Sequence, residues 1–222
     1  MIDSTIITDP YIYLEDNILS EVRCKDIIDK FEADKKHHYQ GETGGGLNLS
    51  IKNSKDLLVT DNLLWQEEDK MFSEIIGLGH QNYYNHLNRE SNFTFFTNPE
   101  NKFRFGPHHN KNLELFDTGY QIQKTEPGKG YVWHDDFQLK FGALRYVTFI
   151  LYLNSVEEGW TQFYNGDQIA PQAGRCVIFP ATWTYYHQGS PPLQTKYIMT
   201  GWVYSDGGFS NWCGYIGKIR YN

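Results

Sequence analysis

One histidine and two aspartates close the stretch GYVWHDD, residues 130–136. Tyr131, Val132 and Trp133 before them are aromatic and β-branched, the residue types that favour a strand. Strand side chains alternate between faces, so His134 and Asp136 are expected on one side and Asp135 on the other. A histidine and a carboxylate on one face are two thirds of a two-His-one-carboxylate iron site. A second histidine must come from elsewhere in the chain.

Eight histidines are available. His37, His38, His108 and His109 lie in polar segments, and His80 and His86 fall near the end of a helical pattern. These six read as surface or structural residues. His187 stands at a strand edge in TYYHQGSPPLQTKYIMTGW (184–202), before a Gly-Ser-Pro-Pro turn and a new strand carrying Lys196. Neighbouring antiparallel strands can bring it beside the first pair. H-x-D is short enough to arise by chance, so the text around both histidines has to carry the identification.

The elements that must position these residues divide by period. Within SEVRCKDIIDKFEADKK (20–36), Val22, Ile27, Ile28 and Phe31 keep helical spacing, with Ser20 as N-cap. Leu64, Trp65, Met71, Phe72, Ile75 and Ile76 mark a second apolar stripe, interrupted by Glu68 and weakened by Gly77 and Gly79. The first ninety residues therefore read as helical. Between the helices, Gly44, Gly45 and Gly46 have no Lys-Ser pair after them as a phosphate-binding loop requires, so 41–46 reads as a flexible loop, a candidate substrate lid. From Leu113 onward strands take over: LFDTGYQIQK, FGALRYVTFILYLN, WTQFY with an NGD turn, GRCVIFP and TKYIMTGWVY. Many short strands with helices grouped at the N-terminal end predict an α+β fold, a jelly roll buttressed by helices. The expected organisation is a single domain: a helical buttress over 1–90, a jelly-roll core over 91–206 and a tail over 207–222. That tail either packs on the barrel or extends to a partner, and Trp212 and Tyr215 argue against complete disorder.

Composition excludes some functions. The net charge is −7 with no basic run, which argues against a nucleic-acid surface. Aromatics are 16% of residues, a usage suited to β packing. Cys24, Cys176 and Cys213 are odd in number, scattered and without a C-x-x-C, fitting reduced thiols rather than a disulfide framework. There is neither a signal-peptide pattern at the N-terminus nor an apolar run long enough to span a membrane. The expectation is a soluble, cytoplasmic protein with no membrane or nucleic-acid partner.

Four phrases occur in order: GYVWHDD, RYVTFILYLN, GWTQFYNGDQIAPQAGRCVIFP and HQGSPPLQTKYIMTGW. Together they resemble the Fe(II)- and 2-oxoglutarate-dependent dioxygenases, in the prolyl 4-hydroxylase branch, over residues 113–204. The resemblance implies the double-stranded β-helix form of the jelly roll. It implies that His134, Asp136 and His187 bind Fe(II), and that Lys196, nine positions after the distal histidine, pairs with the far carboxylate of 2-oxoglutarate. Tyr152 matches a tyrosine whose hydroxyl joins that carboxylate. Thr200 and Trp202 match pocket-lining positions, and Trp202 suits the core equally. Tyr131 matches the tyrosine of a Y-x-x-H-x-D phrase, in a pocket or a plain packing role. Asp135 is expected to be no ligand.

The chain departs from its relatives upstream. Many carry another tyrosine where this sequence has Lys124 and Thr125, so Gln123 or Lys124 is a candidate replacement. The implied reaction consumes 2-oxoglutarate and O₂, yields succinate and CO₂, and hydroxylates a substrate C–H; ascorbate is a candidate accessory. Asp136 argues for hydroxylation, since halogenating relatives have a small residue there. The first-choice substrate is a proline in a peptide or protein, with Trp133, Trp160, Tyr185 and Tyr186 as candidate stacking residues at the cleft rim. The alternatives are another residue or a small molecule as substrate, a non-catalytic jelly-roll binding module, or a structural zinc site. The last is disfavoured because three open ligands make a poorer zinc cage than a closed four.

Overall fold

The computed structural model describes residues 3–90, 115–140 and 143–205. His108, His109, Cys213 and the tail from 207 lie outside the described residues. Two helices, α1 (Glu21–Ala33) and α2 (Gln66–Glu90), and twelve strands are present among the described residues. The strands are β1 (Tyr13–Glu15), β2 (Tyr39–Gln40), β3 (Lys55–Leu58), β4 (Leu115–Thr125), β5 (Tyr131–His134) and β6 (Leu139–Lys140). They continue with β7 (Ala143–Tyr152), β8 (Thr161–Phe163), β9 (Gln168–Ile169), β10 (Cys176–Pro180), β11 (His187–Gly189) and β12 (Lys196–Ser205).

They form two antiparallel sheets. The larger runs β1-β10-β7-β12-β4-β3-β2 with β6 beside β7, and the smaller runs β5-β11-β8-β9. Face to face, the two sheets make the expected α+β jelly roll, with the helices on the outer face of the larger one. Alternation sorts the side chains. Cys176 and Ile178 of β10 and Met199 and Val203 of β12 join Cys24, Ile27, Phe31, Phe72 and Ile76 of the helices in one core. Val177 and Phe179, with Ile150 and Tyr152 of β7 and Phe163 and Ile169 of the smaller sheet, form a second core between the sheets.

Local signals explain the helices. Ser20 accepts a bond from the Arg23 amide and caps α1. The polar interruption in α2 has a partner: Glu68, buried, takes Arg23 and Lys30 from α1. Two expectations change. The N-terminal ninety residues are not purely helical, because three short strands there extend both edges of the larger sheet. Their runs are two to four residues long, too short for a period to register. And α2 continues through both glycines to Glu90. A Cβ at Gly79 would sit 3.3 Å from Ile178 Cδ1, so its absence brings the helix close to β10.

Candidate metal centre and co-substrate pocket

The strand pair β5–β11 sets the site. His187 lies directly opposite His134 in this antiparallel pairing, and the imidazole centroids are 4.3 Å apart. Between His187 and Gly189 the register shifts: two steps along β11 answer to three along β5, from His134 to Tyr131. Such a bulge breaks simple alternation. It turns Tyr131 and His134 to the same side, where their rings stack at 3.5 Å and 12°. Phe163 and Phe179 pack on His187 from the inner core.

Asp136 follows β5 and is buried, with its Oδ2 3.7 Å from His187 Nε2. One ligand atom from each of His134, Asp136 and His187 lies within 4.8 Å of the others. Each imidazole is oriented from behind: His134 Nδ1 bonds the Val132 carbonyl at 2.7 Å and His187 Nδ1 bonds the Tyr185 carbonyl at 2.9 Å. A carbonyl acceptor holds the proton on Nδ1 and leaves Nε2 as a lone-pair donor toward a metal. Burial, then the neighbouring His187, push the His134 imidazole down to about 4, so it is neutral and able to ligate near neutral pH. Although burial acts to raise the Asp136 carboxyl, His187, His134 and the Thr148 hydroxyl hold it below its usual value. Thr148 Oγ1 donates to Asp136 Oδ2 at 2.8 Å, fixing the carboxylate's rotamer. The donor set thus fits a divalent iron bound on one face. Asp135 is exposed and accepts the Phe137 amide, apart from this cluster.

Apart from Tyr131 on β5 of the smaller sheet, the predicted pocket residues occupy the inner face of the larger sheet. Along β12, Lys196, Thr200 and Trp202 are on one side by period two. Lys196 is 5% exposed, and its ammonium donates to the Gly159 carbonyl at 2.6 Å. Burial pushes its amine down to about 8. Gly159 has φ +65, and a Cβ there would meet Pro192 at 2.7 Å, so glycine is required to bring that carbonyl to the lysine. Tyr152, fully buried, shares a hydrogen bond with Thr161 at 2.6 Å. Thr200 donates to the Phe149 carbonyl. Trp202 Nε1 is the single buried side-chain nitrogen or oxygen among the described residues with no hydrogen-bond partner, while Arg145 lies 3.7 Å over its ring. Trp202 is opposite Thr148 on β7, which places it toward the metal end of the wall.

Other sequence expectations meet a different arrangement. Lys124 faces outward, pairing with Glu32 at 2.8 Å and Glu126 at 3.1 Å, and is no replacement for the missing tyrosine. Gln123, one residue earlier, takes the inner face. The proposed aromatic rim is not assembled. Trp133 and Tyr186 stack at 6.0 Å and join Tyr164 on the outer face of the smaller sheet, because each flanks an inward residue. Tyr185 packs against the inner core and Trp160 donates its indole N–H to Ser4. Of the other described histidines, His37 pairs with Asp34, His38 stacks on Phe31, His86 bonds the Pro10 carbonyl, and His80 is buried.

Sequence reasoning passed over Thr148, Arg145 and Lys52. Counting back in twos from Tyr152 reaches Thr148, so its face was available from the pattern. Arg145 breaks that parity at a register shift between Val203 and Tyr204, and only the fold brings its Nη1 within 3.9 Å of Asp136. Lys52 belongs to the segment 51–53 that runs along the free edge of β5, with Val132 N bonding Ile51 O and Asn53 N bonding Gly130 O. Its ammonium bonds buried Asp56 at 2.7 Å and sits 5.8 Å from the Tyr131 ring centroid.

Residues 120–204 match the model of the 2OG-Fe(II) oxygenase superfamily. No curated protein gives a significant match. Among solved structures, the chain is similar to a prolyl hydroxylase from Trichoplax adhaerens in complex with a hypoxia inducible factor oxygen degradation domain peptide fragment. Identity is 16%, TM-score 0.65, with 92% of this chain and 88% of that chain covered. It is similar to a viral collagen prolyl hydroxylase from Paramecium Bursaria Chlorella virus-1 in its 2OG complex, at 16% identity and TM-score 0.54, covering 87% and 96%. A Pseudomonas putida prolyl-4-hydroxylase aligns at 14% identity and TM-score 0.57, covering 86% and 91%. The segment that matches this family model holds the two histidines, the aspartate and the buried lysine on the two facing sheets, and the chain has the fold of the prolyl hydroxylases.

Proposed function

We propose that this chain is a 2-oxoglutarate-dependent hydroxylase acting on proline in a peptide or protein, with residues 1–222 working as one unit. The observation that carries the oxygenase chemistry is the His134, Asp136, His187 cluster, with Asp136 and His187 buried and both Nδ1 atoms already bonded. Support for proline and for a peptide comes from the fold shared with prolyl hydroxylases, one of them in complex with a peptide fragment.

His134, Asp136 and His187 hold Fe(II) in this reading, with Asp136 kept in place by Thr148. Bound there with 2-oxoglutarate and O₂, the iron supplies the oxidising power for C–H hydroxylation, releasing succinate and CO₂. Lys196 offers a positive charge for the far carboxylate, and its only described hydrogen-bond acceptor is a neutral carbonyl, so its charge is available to a ligand. Tyr152 and Thr161 add hydroxyls beside it. Thr200, Trp202 and Tyr131 wall the pocket, and the apolar side chains of the inner core exclude water, which strengthens each polar contact. Ascorbate is the proposed accessory reductant. The loop 41–46 is proposed as a lid: Gly44 and Gly46 have open space, while 51–53 after it are tied to β5 beside the site.

The test is a mass-spectrometric screen of proline-containing peptides with Fe(II), 2-oxoglutarate and O₂. Gain of one oxygen on a proline, coupled to succinate release, is the expected result. Succinate release with a product only on other residues or on small molecules would exclude proline as the substrate. Neither binding of 2-oxoglutarate nor turnover would leave a jelly-roll binding module.

A further inference from the structure

Gln123 is 9% exposed and its carboxamide makes no hydrogen bond to another described residue, yet the amide keeps some access to solvent. An amide that no described protein group engages and that solvent can reach is free to bond what occupies the space it faces. Register says where that space is. Gln123 lies opposite Ile198 on β12 and opposite Asp56 on β3, while Ile198 lies opposite Tyr152 on β7. Tyr152, Ile198, Gln123 and Asp56 therefore make one row across four strands, all directed between the sheets. Lys196, paired with Thr125, is the next inward residue along β12 from Ile198. Diagonal neighbours in such a ladder are roughly 7–8 Å apart, which a glutamine and a lysine span together when both reach one small anion. Asp56 is already occupied by Lys52 and Ser54, so it makes no claim on the amide.

We propose that the Gln123 amide N–H₂ donates to the distal carboxylate of 2-oxoglutarate beside Lys196, and so helps select a dicarboxylate over a 2-oxoacid with only one carboxylate. This inference rests on the co-substrate reading above. Gln123 is a binding residue that the polar backbone of β4 merely carries; its own side chain holds nothing in the protein together. The Gln123→Leu variant accordingly loses no internal hydrogen bond, and Gln123→Glu puts a like charge against the anion.

The test is anaerobic titration of the Fe(II)-loaded protein with 2-oxoglutarate and with 2-oxobutyrate, alongside thermal melts of the metal-free proteins. The expected result is 2-oxoglutarate binding about tenfold weaker in Gln123→Leu, the order of one hydrogen bond to a charged group, and weaker again in Gln123→Glu. Binding of 2-oxobutyrate and the melting midpoint of Gln123→Leu should match wild type. Equal 2-oxoglutarate affinity in wild type and Gln123→Leu would overturn the proposal and leave the oxygenase reading standing. So would an equal loss for both oxoacids, or a loss matched by a lower melting midpoint. No binding by wild type would instead remove the co-substrate reading, and this inference with it.

Discussion

His134 and His187 face each other across one antiparallel strand pair, and each imidazole is pinned through Nδ1 to the carbonyl two residues earlier in its own chain. The pair is thus oriented by backbone rather than by mobile side chains. Backbone acceptors cost little entropy to hold, so the two Nε2 atoms are ready for a metal before it arrives.

Removing either histidine should remove the centre. In an anaerobic titration with Fe(II) and 2-oxoglutarate, wild type is expected to develop a visible metal-to-ligand charge-transfer band. His187→Ala and Asp136→Ala should show none, whereas Asp135→Ala should behave as wild type because its carboxylate only caps a turn. A band surviving in His187→Ala would reject the triad.

Thr148 is expected to act through Asp136. Thr148→Val keeps the shape but deletes the donor to Asp136 Oδ2, and Fe(II) affinity should fall roughly 10–100-fold, as for other losses behind a ligand. Competition against a chromophoric chelator measures it. Thr148→Ser, which restores the donor, should recover most of the affinity.

Lys196 predicts a pH dependence. Burial lowers its amine to about 8, so the ammonium that attracts a carboxylate is present below that value and is lost as pH rises through it. Affinity for 2-oxoglutarate should be flat below this point and weaken about tenfold per pH unit above it. The same group affects metal-free stability with the opposite sign. Between about 8 and the free-lysine value of about 10.4 the unfolded chain binds the extra proton, so this residue's contribution to stability rises with pH. Calorimetric binding across that range, with Lys196→Arg as an always-charged comparison, checks the assignment; an affinity rising with pH would contradict it.

Lys52 and Asp56 form an ion pair with side chains only 6% and 1% exposed. Lys52→Met leaves a buried carboxylate uncompensated and should cost about 3–5 kcal/mol. Lys52→Met with Asp56→Leu removes both charges and should regain most of that. Urea unfolding of the two variants gives the comparison, and equal stability of single and double variant would mean that the ion pair has no such role.

Much of the centre was legible along the chain. H-x-D, the distal histidine, the following lysine and the tyrosine of ILYLN are short-range patterns on strands whose inward positions repeat every second residue. Their assembly on facing sheets follows from that period, and the helix stripes with their Ser20 cap are local in the same sense. What the order of residues did not contain was set by contacts distant in sequence. The bulge in β5, which stacks Tyr131 on His134, exists because β5 must pair with β11 fifty residues on. The three N-terminal strands form only because the sheet offers edges to complete, not from their own two- to four-residue patterns. The outward turn of Trp133 and Tyr186 is likewise the cost of aiming their neighbours inward, and composition alone made those aromatics look available to a substrate. The partnerless amide of Gln123 is the clearest case: a glutamine in a strand is unremarkable until the register of β3, β4, β12 and β7 encloses it. Sequence carries what depends on period and local chemistry. Tertiary structure decides what depends on which strand lies alongside which.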